Sequence, residues 1–292
     1  MKNRLRLIYN PYAGRRKLLG KLDEVIEIFQ NGGYEVCIHR TTSPQDIQQT
    51  AALSSDVDCL VIAGGDGSIH HTVNGLLKLP AEQRPALGIL PVGTANDLAY
   101  GLRIPRNILG ACEVIVRHKL FKMDVGMVNN QYFVNVASAG FLTDVSPRVD
   151  VRVKNSLGQL AYYLKGLETL PEFRPFSVEF EVGGEKRKEE ILLLLVVNGH
   201  SVGGLRQLFP AASLSDGKLD VMMVPRSGWP ETFLFLIRFL RGETGSDGKV
   251  IQFQTDHLII QPDRKLSSDL DGEWGPESAW DIRMGPKIDV IC

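Results

Sequence analysis

Residues 60–68 read Leu60-Val61-Ile62-Ala63-Gly64-Gly65-Asp66-Gly67-Ser68, an apolar run that breaks into a glycine turn carrying one carboxylate. A strand covered on both faces is apolar at nearly every position, and this run has that character. Glycines at 64, 65 and 67 lack a Cβ and tolerate positive φ, so backbone N–H groups of the turn can come close to phosphate oxygens. The pattern predicts a helix starting near Ser68, whose positive end faces the same point. Asp66 is the odd member, because a carboxylate beside phosphates repels them unless a cation or ordered water lies between. The turn points to a nucleotide site that works with a metal.

Outward from this turn, strand-like and helix-like segments alternate. Residues 5–9 read as a strand ending at Asn10-Pro11-Tyr12-Ala13-Gly14, after which Leu18, Leu22, Val25, Ile26 and Phe29 recur at helical spacing. Residues 34–39 are strand-like. Ser43-Pro44 reads as an N-cap with Pro at the first helical position, opening a helix to about Leu53. Residues 58–63 form the buried strand of the opening motif, a helix runs on to about Leu79, and residues 86–90 give a further strand ending at Pro91-Val92-Gly93-Thr94. This β-α-β-α order implies a parallel sheet with helices on both faces. Ligands bind such sheets at the carboxyl ends of the strands, so the Asn10, Gly65 and Gly93 loops should gather on one edge.

Near residue 120 the character changes and strands dominate. Residues 178–182 and 191–197 flank Gly183-Gly184 as a hairpin would, and 219–224, 250–254 and 257–261 add strands. One helix interrupts them, with Leu157, Leu160, Ala161, Leu164 and Leu167 on one stripe. The expected division is an α/β domain over 1–124 and a mainly antiparallel β-sandwich domain over 125–292, with the last strand free to return to the first domain.

Composition narrows the function. A chain of 292 residues has room for about two domains. With 43% apolar and 23% charged residues it is an ordinary globular protein rather than a disordered one. A net charge of -1 gives no bulk electrostatic pull toward nucleic acid, so no nucleic-acid partner is expected. Cys37, Cys59, Cys112 and Cys292 are scattered without a C-x-x-C pair, which argues against disulfides and for a reducing, cytoplasmic setting. Residues 1–9 are too short and too charged for a signal peptide. No apolar run reaches the roughly 20 residues of a membrane span; the longest, 191–197, is strand-sized.

Two common phosphate fingerprints fail. In G-x-x-x-x-G-K-[ST], Gly14 and Gly20-Lys21 are spaced one residue too far apart, and Leu22 stands where Ser or Thr belongs. In G-x-G-x-x-G, Gly65-Asp66-Gly67 is followed by His70 at the third glycine's place. His39-Arg40-Thr41 lacks the Asp of a protein-kinase catalytic loop, and there is no Asp-Phe-Gly.

A different set of segments does match: Asn10-Pro11 with Gly14, then Gly64-Gly65-Asp66-Gly67-Ser68, then Pro91-Val92-Gly93-Thr94-Ala95-Asn96-Asp97, and later Asp269-Leu270-Asp271-Gly272-Glu273. This series resembles the diacylglycerol kinase catalytic-domain family, the soluble bacterial lipid kinases, over nearly the whole chain. The resemblance implies a nucleotide-binding α/β domain and a β-sandwich domain with the active site between them. It implies ATP as phosphate donor, contacted by Asn10, Thr41, the loop Gly65, Asp66, Gly67, Ser68, Ile69, His70 and His71, and by Thr94 and Asn96. Asp271 would be the catalytic base. Asp66 and Asp124 would organise Mg²⁺ through waters. A structural magnesium would be held by the side chain of Asp216 and the carbonyls of Ser213 and Lys218, an oxygen set that suits that ion.

Each segment also has a plainer reading. Asn10 and Gly14 make a turn, Gly65 and Gly67 a tight strand-to-helix connection, and Thr94 the N-cap of a helix containing Leu98. Asp124 stands at a strand-end turn, and Asp216-Gly217 and Asp271-Gly272 are common hairpin pairs. The chain also departs from the family pattern, with Ser68 where Thr is usual and His70-His71 where Asn-Glu is usual. Adjacent histidines on a helix point in different directions, so one solvated and one packed ring is the plainer expectation.

The function read from the sequence is an ATP- and Mg²⁺-dependent kinase of a lipid hydroxyl, diacylglycerol foremost. The alternatives are a kinase of a soluble acceptor such as NAD and a non-catalytic nucleotide or lipid binder. A lipid acceptor implies transient contact with a membrane surface. Residues 230–240 could lie on it as an amphipathic helix or pack on the β domain. Exposed sandwich edges would allow a homodimer.

Overall fold

The apolar segments of the first hundred residues lie side by side as parallel strands. β1 (Asn3–Tyr9) pairs with β2 (Tyr34–Arg40) and β3 (Cys59–Gly64), and β3 pairs with β4 (Ala86–Pro91), all parallel. All six residues of β3 and of β4 are buried, as strands covered on both faces must be. The covering helices are α1 (Leu22–Asn31), α2 (Pro44–Ala52), α3 (Asp66–Leu76) and α5 (Ile108–Arg117), with the short α4 (Asp97–Gly101) before α5. α1 packs on α5, and α2 packs on α3. Ser43 caps α2 as the sequence suggests, its Oγ accepting the Asp46 N–H at 3.1 Å, with Pro44 opening the helix. α1 starts later than its apolar spacing implies, because a single 3-10 turn, Leu19–Lys21, precedes it.

The computed structural model describes residues 3–11, 13, 17–140, 175–205, 209–240 and 250–292. It divides into two units, Met1–Val125 with Pro286–Cys292, and Gly126–Gly285. Gly14 and the helix expected around 157–167 lie outside the described residues. The first unit is completed by β5 (Leu120–Met123) and by the last strand of the chain, β17 (Ile288–Ile291), giving the order β2-β1-β3-β4-β17-β5. β17 lies parallel to β4 and antiparallel to β5.

In the second unit β6 (Gly126–Val128), β7 (Gln131–Phe133), β8 (Val136–Gly140), β9 (Phe176–Val182) and β10 (Glu185–Val197) are followed by β11 (Leu219–Pro225) and the helix α6 (Trp229–Leu240). Then come β12 (Ile251–Thr255), β13 (His257–Pro262), β14 (Ser267–Leu270), β15 (Glu273–Glu277) and β16 (Trp280–Met284). The described strands form one antiparallel sheet, β15-β14-β8-β10-β9-β13-β16-β6-β7, with β11 and β12 added beside β10. Leu270 and Ala139 from one end of that order share a core with Val128, Phe133 and Ile282 from the other. The sheet therefore wraps on itself as a β-sandwich. The β9–β10 hairpin turns at Gly183-Gly184, both at positive φ, as a two-residue primed turn requires. β10 is longer than the apolar run 191–197, because the charged half Glu185–Glu190 extends the pairing with β9.

α6 is a packed helix. Phe239 is buried and Phe235 partly buried against Leu195, Val197, Met222 and Val224, while Leu234 points outward. Among the described residues no helix is long and apolar enough to cross a membrane.

The return of β17 is fixed electrostatically. Lys287 Nζ meets Asp124 Oδ1 at 2.8 Å where β5 ends and β17 begins, and the Asp124 side chain is 1% exposed. A buried carboxylate needs such a partner. Lys287→Met is expected to lower unfolding free energy by about 1–3 kcal/mol in urea titration, with Asp124→Asn in the same chain recovering part of the loss. An unchanged midpoint would remove the pair from the account.

Candidate active site

The carboxyl ends of the parallel strands are stitched together by the backbone. The Thr41 N–H and hydroxyl both donate to Tyr9 O, at 3.0 and 3.2 Å, joining the end of β2 to that of β1. The Asn10 N–H donates to Ala63 O at 3.4 Å, and the Val92 N–H to Gly64 O at 3.1 Å. The loops after β1, β2, β3 and β4 are thereby gathered on one edge. Thr41 is 3% exposed with its hydroxyl engaged inside the fold, so it braces this edge.

At the centre of the edge two backbones touch. A Cβ on Gly93 would strike the Cα of Gly65, and would lie 2.7 Å from Asn96 Oδ1. A Cβ on Gly64 would collide with the Ser68 side chain. These glycines are needed for space. Positive φ, expected from the sequence, plays no part: Gly64 lies in β3, Gly67 in α3, and Gly65 has φ −101° and ψ −169°. α3 also begins earlier than expected, at Asp66 rather than near Ser68, with Gly65 as its N-cap. The reason is that Asp66 is itself a favourable first-turn residue, an acid at the positive helix end.

The Asp66 carboxylate accepts the backbone N–H of Leu98 at 3.4 Å, across to the first turn of α4. The helix starts after β3 and β4 are thus brought together. The N-cap of α4 is Asn96, not Thr94, which leaves Thr94 exposed on the loop. Asn96 takes the left-handed conformation, φ 54° and ψ 49°, and its Nδ2 donates to Gly93 O at 3.0 Å. Its Oδ1 is buried and finds no hydrogen-bond donor. Ser68 is half-buried, while Ile69 is 1% exposed and belongs to the core.

His70 and His71 differ from the expectation of one solvated ring. His70 is 8% exposed and His71 half-buried, and the rings meet edge to face with centroids 5.3 Å apart. Asn74 Nδ2 donates to His70 O at 3.0 Å and lies 3.4 Å from its Nε2.

In the second unit Asp271 and Gly272 form the turn between β14 and β15, both at positive φ. The hairpin reading of this pair is therefore correct, and its side chain does more than turn the chain. Asp271 Oδ2 accepts the Val134 N–H at 2.7 Å, and Oδ1 accepts those of Asn135 and Val136 at 2.8 and 3.0 Å. The loop Ser213–Lys218 is shaped by Asp216 Oδ1, which accepts the Lys218 N–H at 3.0 Å. Burial, with the Asp216 charge adding to it against the Gln254 hydrogen bond and His200, pushes the nearby Asp220 carboxyl up. Among the described residues no group of three or more His, Cys, Asp or Glu side chains could hold a metal ion. Asp124 is committed to Lys287.

Three residues at these places carry no signal strong enough to single them out in the sequence. Asp97, 6% exposed, stands in the first turn of α4 beside Leu98. Its place in Asn96-Asp97 was visible, but its burial was not. Asp220 reads as an ordinary strand residue. Asn198, 1% exposed, is one Asn among many until its contacts are known.

Comparison with known proteins gives a consistent picture. The model of the diacylglycerol kinase catalytic domain matches residues 4–128, and that of the YegS C-terminal NAD kinase beta sandwich-like domain matches residues 135–291. A diacylglycerol kinase of Bacillus subtilis (strain 168) is 41% identical over 93% of this chain and 90% of its own. One of Staphylococcus aureus (strain MRSA252) is 34% identical over 94% and 87%. The crystal structure of a diacylglycerol kinase from Bacillus anthracis str. Sterne superimposes with TM-score 0.83 at 27% identity, covering 99% of this chain and 97% of that one.

The loop carrying Thr41 has its own pH dependence. Asp46 Oδ2 accepts the Thr42 N–H at 2.8 Å and the Thr42 hydroxyl at 3.1 Å, and Oδ1 meets His39 Nε2 at 3.0 Å. The Thr42 N–H foremost, with His39 and the Thr42 hydroxyl adding, holds the Asp46 carboxyl below its ordinary value of 3.8. A depressed carboxyl contributes stability that is present above the unfolded value and lost as pH falls through the folded one. The difference in unfolding free energy between wild type and Asp46→Asn is therefore expected to shrink as pH falls below the ordinary carboxyl value of 3.8. A difference independent of pH down to acid unfolding would contradict this network.

Proposed function

The chain belongs to the diacylglycerol kinase family and is a lipid kinase, and on that premise we propose that it transfers the γ-phosphoryl group of ATP to the hydroxyl of diacylglycerol, giving phosphatidic acid. The observation that carries the ATP half of the reading is the Gly65–Gly93 contact. It leaves the loops after β3 and β4 without side chains at their meeting point, under two helix N-termini. Backbone N–H groups there can hold phosphate oxygens. Asn10, Ser68 and Thr94 edge the same loops, and Thr41 fixes their shape.

The residues of this edge fit Mg²⁺. Asp66 and the buried Asn96 Oδ1 offer hard oxygen donors, directly or through water, and Asp97 follows Asn96 in the chain. The ion would offset the charge of the phosphates. Asp124 would act on the same group only from its ion pair with Lys287. At the second place, Asp216 with the carbonyls of Ser213 and Lys218 would hold a structural ion, and Asp220 lies close enough to feel the Asp216 charge.

Asp271 is the base in this reading. Its carboxylate takes the acceptor hydroxyl's proton as that oxygen bonds to the γ-phosphorus. The bond from the γ-phosphorus to the bridging oxygen breaks, and ADP leaves with the electron pair. Asp271→Asn keeps the shape of the turn and removes the base, so turnover is expected to fall at least about a hundredfold with KM for ATP unchanged. Wild-type turnover would sink the role. The second reading, a soluble acceptor, is favoured only by the NAD kinase-like description of the sandwich match. γ-Labelled ATP offered with diacylglycerol, a polyprenol, a sphingoid base, phosphatidylglycerol and NAD separates the two. The lipid reading expects label in the organic phase with diacylglycerol; label appearing only on NAD overturns it.

Contact with a lipid surface falls to outward apolar side chains. Among the described residues of the second unit these are Trp274, 61% exposed, and Leu234, 49% exposed. Trp274 lies on β15, three residues after Asp271. An indole suits the headgroup level of a bilayer. Trp274→Ala is expected to raise KM for diacylglycerol in vesicles by about tenfold while leaving KM for ATP alone. Equal kinetics on vesicles would exclude this contact.

A further inference from the structure

The three residues Val134, Asn135 and Val136 link β7 to β8, and every backbone polar group they carry is spoken for. Their N–H groups all go to the Asp271 carboxylate, at 2.7, 2.8 and 3.0 Å. The Val136 carbonyl accepts the Asp271 N–H at 2.9 Å. The other two carbonyls face the opposite way, toward Asn198. Val134 O accepts Asn198 Nδ2 at 2.9 Å, and Asn135 O accepts the Asn198 N–H at 2.9 Å.

The segment is thus a strap pinned between the Asp271 carboxylate and Asn198, which gives one side-chain and one backbone donor. Asp271 supplies the acceptors on one side and Asn198 the donors on the other. Val134 is 1% exposed, Asn135 5% and Asn198 1%, so water is not at hand to replace a lost bond. Asn198 directly follows β10, whose Val197 pairs with Val136 of β8, so the scaffold on Asn198's side is the centre of the sheet. Asp271 sits instead on a two-residue turn leading into the edge strand β15.

We infer that Asn198 is a positioning residue for phosphoryl transfer: by holding the 134–136 strap from the sheet side, it sets the orientation in which Asp271 meets the acceptor hydroxyl. This rests on the reading of Asp271 as the base. In this role Asn198 acts through the strap rather than on the reacting atoms. An amide is suited to the position because Nδ2 donates to a carbonyl. A carboxylate of the same shape would set an acceptor against Val134 O, and a shorter side chain would not reach it in the same way.

The test uses Asn198→Asp, with Asn198→Ser as the second variant should the first not yield folded protein. Either is expected to lower kcat about ten- to a hundredfold at saturating ATP and acceptor, with KM for ATP unchanged, because a small misplacement of a reacting group has effects of that size. In the Asp271→Asn background the same change is expected to cost nothing further, since the two residues act as one unit. The amide resonances of Val134, Asn135 and Val136 are expected to shift in the single Asn198 variant. Unchanged kcat in a folded Asn198 variant, or losses that multiply in the double variant, overturns the positioning role while leaving Asp271 as base. Wild-type turnover in Asp271→Asn alone overturns the base reading and the catalytic role of Asn198 with it. Unmoved amides in a folded Asn198 variant overturn the strap itself.

Discussion

The first unit is organised by a steric demand at one point: the loops after β3 and β4 approach so closely that Gly93 has no room for a Cβ, and one on Gly65 would press on the Gly93 backbone. Several features follow from that approach. α3 starts at once after β3, which makes Asp66 a first-turn residue. The start of α4 comes near enough for the Leu98 N–H to reach the Asp66 carboxylate. Asn96 folds its amide back onto Gly93 and adopts a left-handed conformation to do so. The result is a patch of bare backbone at the mouth of a parallel sheet, which is the kind of surface that holds phosphate groups.

The second unit solves a different problem. A carboxylate proposed to meet a substrate must be accessible yet held still. Asp271 is placed on the tightest of turns, and its side chain is fixed by backbone donors from a segment more than a hundred residues away in the chain. The plain reading of Asp-Gly as a hairpin turn and the catalytic reading are therefore compatible. The turn supplies exposure and the strap supplies orientation. Asp66 shows the same economy, since one carboxylate both joins two helix starts and lies at the proposed phosphate site.

How much of this was legible varied with the range of the interactions. β3 could be read because six consecutive residues are buried on both faces, and local chemistry alone dictates that pattern. Ser43-Pro44 could be read because capping is decided within four residues. The role of the glycines in the opening motif was misread, since a collision between Gly65 and Gly93 depends on residues 28 apart and no φ is involved. The short strands β6–β8 and β14–β16 had weak local patterns, because β7 and β14 contain Gln or Ser and β15 contains Gly and Pro. Their pairing is imposed by the curled sheet around Trp280 and Phe133. Asn198 was invisible for the same reason: its partner, Val134, is 64 residues away. The resemblance brought Asp271 forward, but only the fold shows what holds it.

The central claim is that the bare backbone where β3 and β4 end is the seat of the phosphate donor. Its most direct test is calorimetric titration of a non-hydrolysable ATP analogue with Mg²⁺ into wild type and Gly93→Val, with circular dichroism to establish that both are folded. The account predicts saturable binding to wild type and a loss of at least about a hundredfold in affinity in the folded variant, because the side chain fills the space where the two loops meet. Equal affinity in the two proteins would contradict it.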